Sequence, residues 1–238
     1  MNDPHPDARI ARGMAAQSAM RRARLARGEQ VIGWKVGFGA PAALAKLGIA
    51  TPLVGFLTDR ARLDSGSCVS LSGWSKPAAE PEIAVYLGKD LARGTNRSTA
   101  QAAIAGIGPA IELADVDRPP DDVEAILCGN IYQRHVIFGR CDMTRSGARL
   151  DGLLARVMRN GSEMARTADP QALTGDLVDI VRHVADTLAA YGERLSAGHA
   201  VITGSIVPPL WIEPGEELVF ALDPVDSLTV RFAAAPRS

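Results

Sequence analysis

Aromatic residues make up only 5% of this 238-residue chain, five Phe, three Trp and three Tyr, so its interior must be built from aliphatic side chains. Cysteine is scarce too. Cys68, Cys128 and Cys141 form neither a CxxC pair nor an even set, which argues against a disulfide framework and for a reducing, cytoplasmic setting. Charge of one sign is also missing: Lys+Arg 26 stand against Asp+Glu 27, a formal net charge of -1. Such a balance offers no general attraction to nucleic acid or to an anionic membrane, so neither is expected as a partner. No run approaches the roughly 20 apolar residues of a membrane span, and the first residues lack the charged-then-apolar layout of a secretory signal.

What is present describes a globular protein, 47% hydrophobic and 22% charged. Residues 8–27 carry six arginines and no acid, a composition shared with mitochondrial transit peptides. Ile10, Met14 and Leu25 nevertheless mark part of one helical face, and the stretch runs directly into a motif-bearing segment, so it reads as a helical arm of the fold. No repeat, low-complexity tract or linker follows. The expected organisation is an arm over 1–30 and one domain over 31–238.

From Val31 onward VIGWKVG, LVGFL, EIAVYLG, AIELAD, HVIFG and ELVFALDP are short apolar or alternating runs bounded by Gly, Pro, Asp or Asn, which is the punctuation of strands. PAALAKLG is expected to form a short helix capped by Gly48, and STAQAAIAGIG a second that opens at Ser98. The longest expected helix covers 176–195, where Leu177, Ile180, Val181, Val184, Leu188, Tyr191 and Leu195 recur at spacings of three and four. Strands and helices do not alternate regularly. The expectation is a mixed α+β fold dominated by an antiparallel or rolled sheet.

Four groups of residues carry possible chemistry. Gly37-x-Gly39-x-x-Ala42 after a strand, with Asp59 about 20 residues on, imitates a dinucleotide fingerprint. A first strand of that type is continuously apolar, however, and this one contains Gly33 and Lys35. A nicotinamide-dependent oxidoreductase is therefore the weaker alternative. In KPAAEPEIAVYLG the spacing of Glu80 and Glu82 puts both carboxylates on one face of a strand, with Ile83 and Val85 turned the other way. Glu112 is the one charge between Ile111 and Leu113 in a strand-like run. Three carboxylates from two strands suit a hard cation such as Mg²⁺ or Mn²⁺ better than zinc, because no Cys or His lies nearby in sequence.

Lys35, inside a glycine-flanked apolar strand, must either face a cavity or an acid, or else snorkel to the surface from an edge. Gly33 and Gly37 imply close approach by another strand or a ligand. Asp59 is a turn cap or a cavity acid; Gly204-Ser205 can aim a hydroxyl and backbone N–H groups at an anion; and Asn130 is a left-handed turn residue or a ligand contact. His5, His135, His183 and His199 show no ligand or triad spacing, and His183 rides the rim of the long helix.

In order, GWKVG, GFLTD, EPEIAVYLGKDL, GPAIELAD, GNIYQRHVIFG, YGERLSAG and VITGSIVPPLWIEPGEEL resemble the 2-keto-4-pentenoate hydratase family of the fumarylacetoacetate hydrolase superfamily, over about Val31 to Phe232. The resemblance implies a mixed β-sandwich roll with peripheral helices. It implies Glu80, Glu82 and Glu112 as ligands of Mg²⁺ or Mn²⁺, Lys35 as the active-site lysine, and Asp59 and Ser205 in the substrate pocket. The activity implied is addition of water to a 2-hydroxy-2,4-dienoate in the breakdown of aromatic compounds, by a cytoplasmic homo-oligomer acting on a small 2-keto acid. Decarboxylation of a 4-oxalocrotonate-like substrate and C–C hydrolysis of an acylpyruvate are the alternatives within the superfamily.

Overall fold

The structure is a computed structural model and describes residues 6–233; His5 lies outside them. The chain opens with α1 (Ala8–Ala26), capped by the Asp7 carboxylate on the Arg9 amide. It continues through β1 (Val31–Gly37), α2 (Pro41–Leu47), β2 (Leu53–Thr58), β3 (Arg62–Leu63), β4 (Cys68–Val69) and β5 (Pro77–Leu87). Then come α3 (Arg97–Ala103), β6 (Ile104–Asp115), α4 (Val123–Cys128), β7 (Gln133–Phe138), β8 (Leu154–Arg159) and β9 (Ser162–Thr167). The remaining elements are α5 (Leu177–Ala190), β10 (Ala200–Ser205), β11 (Leu210–Trp211), β12 (Glu217–Asp223) and β13 (Asp226–Phe232).

The strands form two sheets. The larger runs β2-β1-β10-β5-β6-β7-β3, with β11 joined to β5, and the smaller runs β4-β13-β12-β8-β9. Most neighbours are antiparallel; β1–β10, β3–β7 and β4–β13 are parallel. Alternation along each strand sends one set of side chains into a shared core. Ile83 and Val85 of β5, Ile107 and Ile111 of β6 and Phe220 of β12 meet Val181, Val184 and Leu188 of α5 there. A second cluster joins Ile10 and Met14 of α1 to Ile126 and Leu127 of α4 and Leu53 of β2, so the expected arm is docked on the body.

Two expectations change at element boundaries. The helix expected from Ser98 stops at Ala103, because the β-branched Ile104 opens β6 and pairs with Leu87 across the sheet. The long helix ends at Ala190, with Tyr191 as its cap and Gly192 at φ 75°, so Leu195 bridges to Leu91 outside it. The β8–β9 hairpin was not expected from the sequence. Its Asn160-Gly161 turn, with φ 50° and 79°, was the available signal.

The dinucleotide fingerprint also dissolves. β1 pairs antiparallel with β2, its next strand in sequence, and parallel only with the distant β10, so no βαβ unit exists there.

Candidate active site

The centre of the large sheet gathers the charged residues. Glu80 of β5 lies directly opposite Glu112 of β6 in antiparallel register, and Glu82 follows on the same face of β5. Ligand oxygens of the three carboxylates lie within 4.8 Å of one another. Lys35 reaches this cluster from β1, two strands away from β5, because Trp34 and Val36 turn into the main core and alternation sends Lys35 to the opposite face. Two glycines make room. A Cβ on Gly33 would stand 2.1 Å from the Ala200 carbonyl oxygen of β10, and one on Gly55 would stand 2.9 Å from Cγ of Lys35.

The Lys35 ammonium donates to a Glu112 carboxylate oxygen and, at 2.9 Å, to the Ile131 carbonyl. Glu82 accepts the Gly204 N–H at 2.6 Å. Three carboxylates against one ammonium give this buried cluster an excess of negative charge whenever all three are ionised. Glu82 Oε1 and Glu112 Oε2 are buried with no hydrogen-bond partner. Burial pushes all three carboxyl groups above their ordinary range. Glu112 rises to about 7 by desolvation, with Lys35 pulling down and Glu80 pushing up; Glu82 is raised by desolvation first, and the charges of Glu112 and Glu80 add to it. Orphaned carboxylate oxygens converging in a pocket of excess negative charge match the donor set of an octahedral divalent cation with hard oxygen ligands.

A cavity of about 460 Å³ opens above the cluster, within the range of small-molecule sites. Lys35, Glu80, Thr203, Gly204 and Ser205 line its polar end. Ser205 sits opposite Glu82, and its hydroxyl donates to the Pro81 carbonyl at 3.4 Å.

Two expected site residues are placed elsewhere. Asp59 is exposed, and its carboxylate accepts the N–H groups of Gln30 and Arg60 at 2.9 Å, which makes it a turn cap rather than a cavity acid. Asn130 is buried and does not line the cavity; its amide closes on Phe56, accepting the N–H and donating to the carbonyl, both at 2.9 Å. It acts one step away from the cavity, since it anchors the turn whose Ile131 carbonyl holds Lys35. His135 stacks on Trp74, His199 accepts from the Trp34 indole at 3.2 Å, and His183 is half-buried with Nε2 2.9 Å from the Pro52 carbonyl.

The sequence reading missed Phe38, Tyr132, Thr174, Leu173, Thr203 and Trp211, all on the cavity wall. Thr203 could have been found from its place beside Gly204-Ser205. Leu173 carried no local signal, because only the tertiary fold brings its loop to β1.

A three-carboxylate centre beside a buried lysine, set in a mixed two-sheet roll, defines the class: the chain belongs to the fumarylacetoacetate hydrolase family, whose profile, the fumarylacetoacetate (FAA) hydrolase C-terminal domain, matches residues 31–233. Among its relatives is the 2-hydroxyhexa-2,4-dienoate hydratase of Comamonas testosteroni, 27% identical over 98% of this chain and 89% of that protein. The 4-oxalocrotonate decarboxylase of Pseudomonas putida is also 27% identical, over the same shares of the two chains. The solved structure of the enzyme of that name from Pseudomonas putida G7, complexed with magnesium and adipate, superposes with a TM-score of 0.86 at 27% identity, covering 94% of this chain and 86% of that one.

Proposed function

We propose that this chain is a metal-dependent lyase that adds water to a 2-hydroxy-2,4-dienoate formed in the breakdown of aromatic compounds. The observation that carries the reading is the cluster of Glu80, Glu82 and Glu112 with its orphaned oxygens, bordered by the buried ammonium of Lys35. The relatives named hydratases support it. Glu80, Glu82 and Glu112 would hold Mg²⁺ or Mn²⁺. When bound, that ion supplies a Lewis acid that stabilises negative charge on the substrate's carboxylate and 2-oxygen.

The chain's own residues do the rest. An ammonium has three N–H donors, and Glu112 and Ile131 engage two of those of Lys35, leaving a third for the substrate at the cavity floor. The Lys35 ammonium gives a proton to the far carbon of the diene and takes up that of the 2-hydroxyl, making the conjugated ketone; water then adds across the remaining double bond, its hydroxyl to the distal carbon of that bond and its proton to the carbon beside the ketone. Ser205 and Thr203 border the polar head, where their oxygens can accept from the substrate's 2-hydroxyl, since each turns its own proton to a backbone carbonyl. Their hydroxyls rest on the backbone carbonyls of Pro81 and Ile83, which fixes their direction. The apolar walls above limit the water that reaches the reacting carbons.

The same reading makes the protein a cytoplasmic homo-oligomer. Three unpaired cysteines support a reducing compartment. Sedimentation velocity on the metal-loaded protein measures the assembly directly.

The deciding experiment offers the Mg²⁺-loaded protein freshly prepared 2-hydroxypenta-2,4-dienoate in water enriched in heavy oxygen. The product should gain one water, carry one solvent oxygen at the distal carbon and lose no carbon. Failure to convert the dienoate, or a product lacking the label there, overturns the hydratase reading.

A further inference from the structure

We infer that the cavity selects substrates whose far end is uncharged and apolar and rejects those that carry a second carboxylate there. This inference rests on the hydratase reading for its polar head and adds the identity of the tail. The polar end of the cavity is confined to Lys35, Glu80 and the Thr203–Ser205 segment. Beyond it the walls are carbon: Phe38, Ala43, Leu173, Val207, Pro209 and Trp211. Among the described residues that line the cavity, Lys35 and Glu80 are the only charged side chains, and no arginine or histidine joins them.

The hydroxyls of the wall beyond the polar end are already directed onto backbone. The Tyr132 hydroxyl donates to the Pro119 carbonyl at 3.3 Å, so the residue offers its ring, which packs against Phe38 with centroids 6.3 Å apart. The Thr174 hydroxyl lies 3.3 Å from the Gly175 carbonyl and 3.4 Å from that of Pro170. Lys76 does not line the cavity, and its ammonium sits 4.0 Å from the centroid of the Trp211 ring. A carboxylate pressed against such a wall would give up its hydration with no cationic side chain of the wall in exchange. An alkyl tail would instead gain by leaving water. Phe38, a non-glycine residue at φ 59°, is held at this wall by the turn out of β1, so the aromatic surface is part of the folded backbone path.

Two measurements test the inference. Saturated 2-oxo acids probe the wall without chemistry, so calorimetry on the Mg²⁺-loaded protein should compare 2-oxohexanoate with 2-oxoadipate, which differ by a methyl against a carboxylate at the far end. The alkyl acid should bind more tightly by about tenfold or more. Equal affinity, or tighter binding of the diacid, overturns the inference. Leu173→Arg, at a position 41% exposed where a long cation can reach solvent, should keep the melting temperature and narrow the gap by strengthening 2-oxoadipate. A gap unaltered in this folded variant places the tail against another wall and overturns the assignment.

Turnover then separates the two claims. The 2-hydroxy-2,4-dienoate ending in a methyl should be hydrated with a kcat/KM roughly 10² times that of the one ending in a carboxylate. If tail-selective binding holds while no dienoate is hydrated, the reaction falls and the tail selectivity stands. If both dienoates are hydrated equally, the selectivity falls and the reaction stands.

Discussion

A lysine with 2% of its surface exposed is held in this sheet only because carboxylate and carbonyl oxygens meet it. Lys35→Met keeps the length and removes the charge. The variant should fold and bind metal while kcat falls by roughly 10² to 10⁴ if the proposed proton transfer runs through this ammonium. Steady-state kinetics beside calorimetric metal titration check this, and an unchanged kcat would relegate Lys35 to packing. Glu82→Gln is the matching change on the acid side. It removes one negative charge from the cluster and one ligand from the ion, so Mg²⁺ should no longer raise the melting temperature. Thermal scans with and without Mg²⁺ give the answer, and a retained metal-induced rise would remove Glu82 from the centre.

Elements carry these side chains by register. β5 and β6 bring three acids together because antiparallel pairing sets Glu80 opposite Glu112, and a slip of one residue would send Glu112 into the core. The turn between α4 and β7 does the equivalent work for Lys35. Asn130, Ile131 and Tyr132 all have positive φ, at 55°, 53° and 63°, a conformation that a β-branched residue such as Ile131 adopts only when its surroundings compel it. The compulsion comes from the Asn130 amide clamped on Phe56 of β2. Asn130→Ala should cost about 1–3 kcal/mol, the penalty of leaving the Phe56 backbone groups unsatisfied in a buried site. It should also lower kcat, since the Ile131 carbonyl is then free to drift from the lysine. Denaturant unfolding and kinetics on the one variant measure both, and loss of stability with normal kcat would show the turn to be structural alone.

At the scale of the whole molecule the buried acids couple stability to pH. Glu112 moves from an ordinary 4.5 to about 7 on folding, and Glu80 and Glu82 shift in the same direction. Between those values the folded metal-free protein binds more protons than the unfolded chain, so its stability falls as pH rises through the window. Metal binding requires the ionised carboxylates and therefore strengthens over the same range. The difference in melting temperature between Mg²⁺-loaded and chelator-treated protein should be small at about pH 5 and large at about pH 8. A gap that ignores pH would separate the metal from these acids.

Much of the centre was legible before the fold was seen, because strand alternation is a local property. A period of two puts Glu80 and Glu82 on one face, marks Glu112 as an isolated charge and flags Lys35 as a lysine in need of a partner. The apolar stripe of α5 was legible for the same reason, though not where it stopped. Asp59 and Asn130 were not. Each has a short polar side chain that can cap a turn or meet a ligand, and the choice depends on backbone groups that arrive from elsewhere: Gln30 in one case, Phe56 in the other. The cavity wall lay still further out of reach. Phe38, Leu173 and Trp211 come from a turn, a loop and a short strand far apart in sequence, and only the tertiary fold brings them over the acids. The sequence by itself marked the charged residues of the site, the three glutamates and Lys35; the tertiary structure alone decided the apolar shape of what the site can hold, because a cavity is a relation between surfaces that no single segment contains.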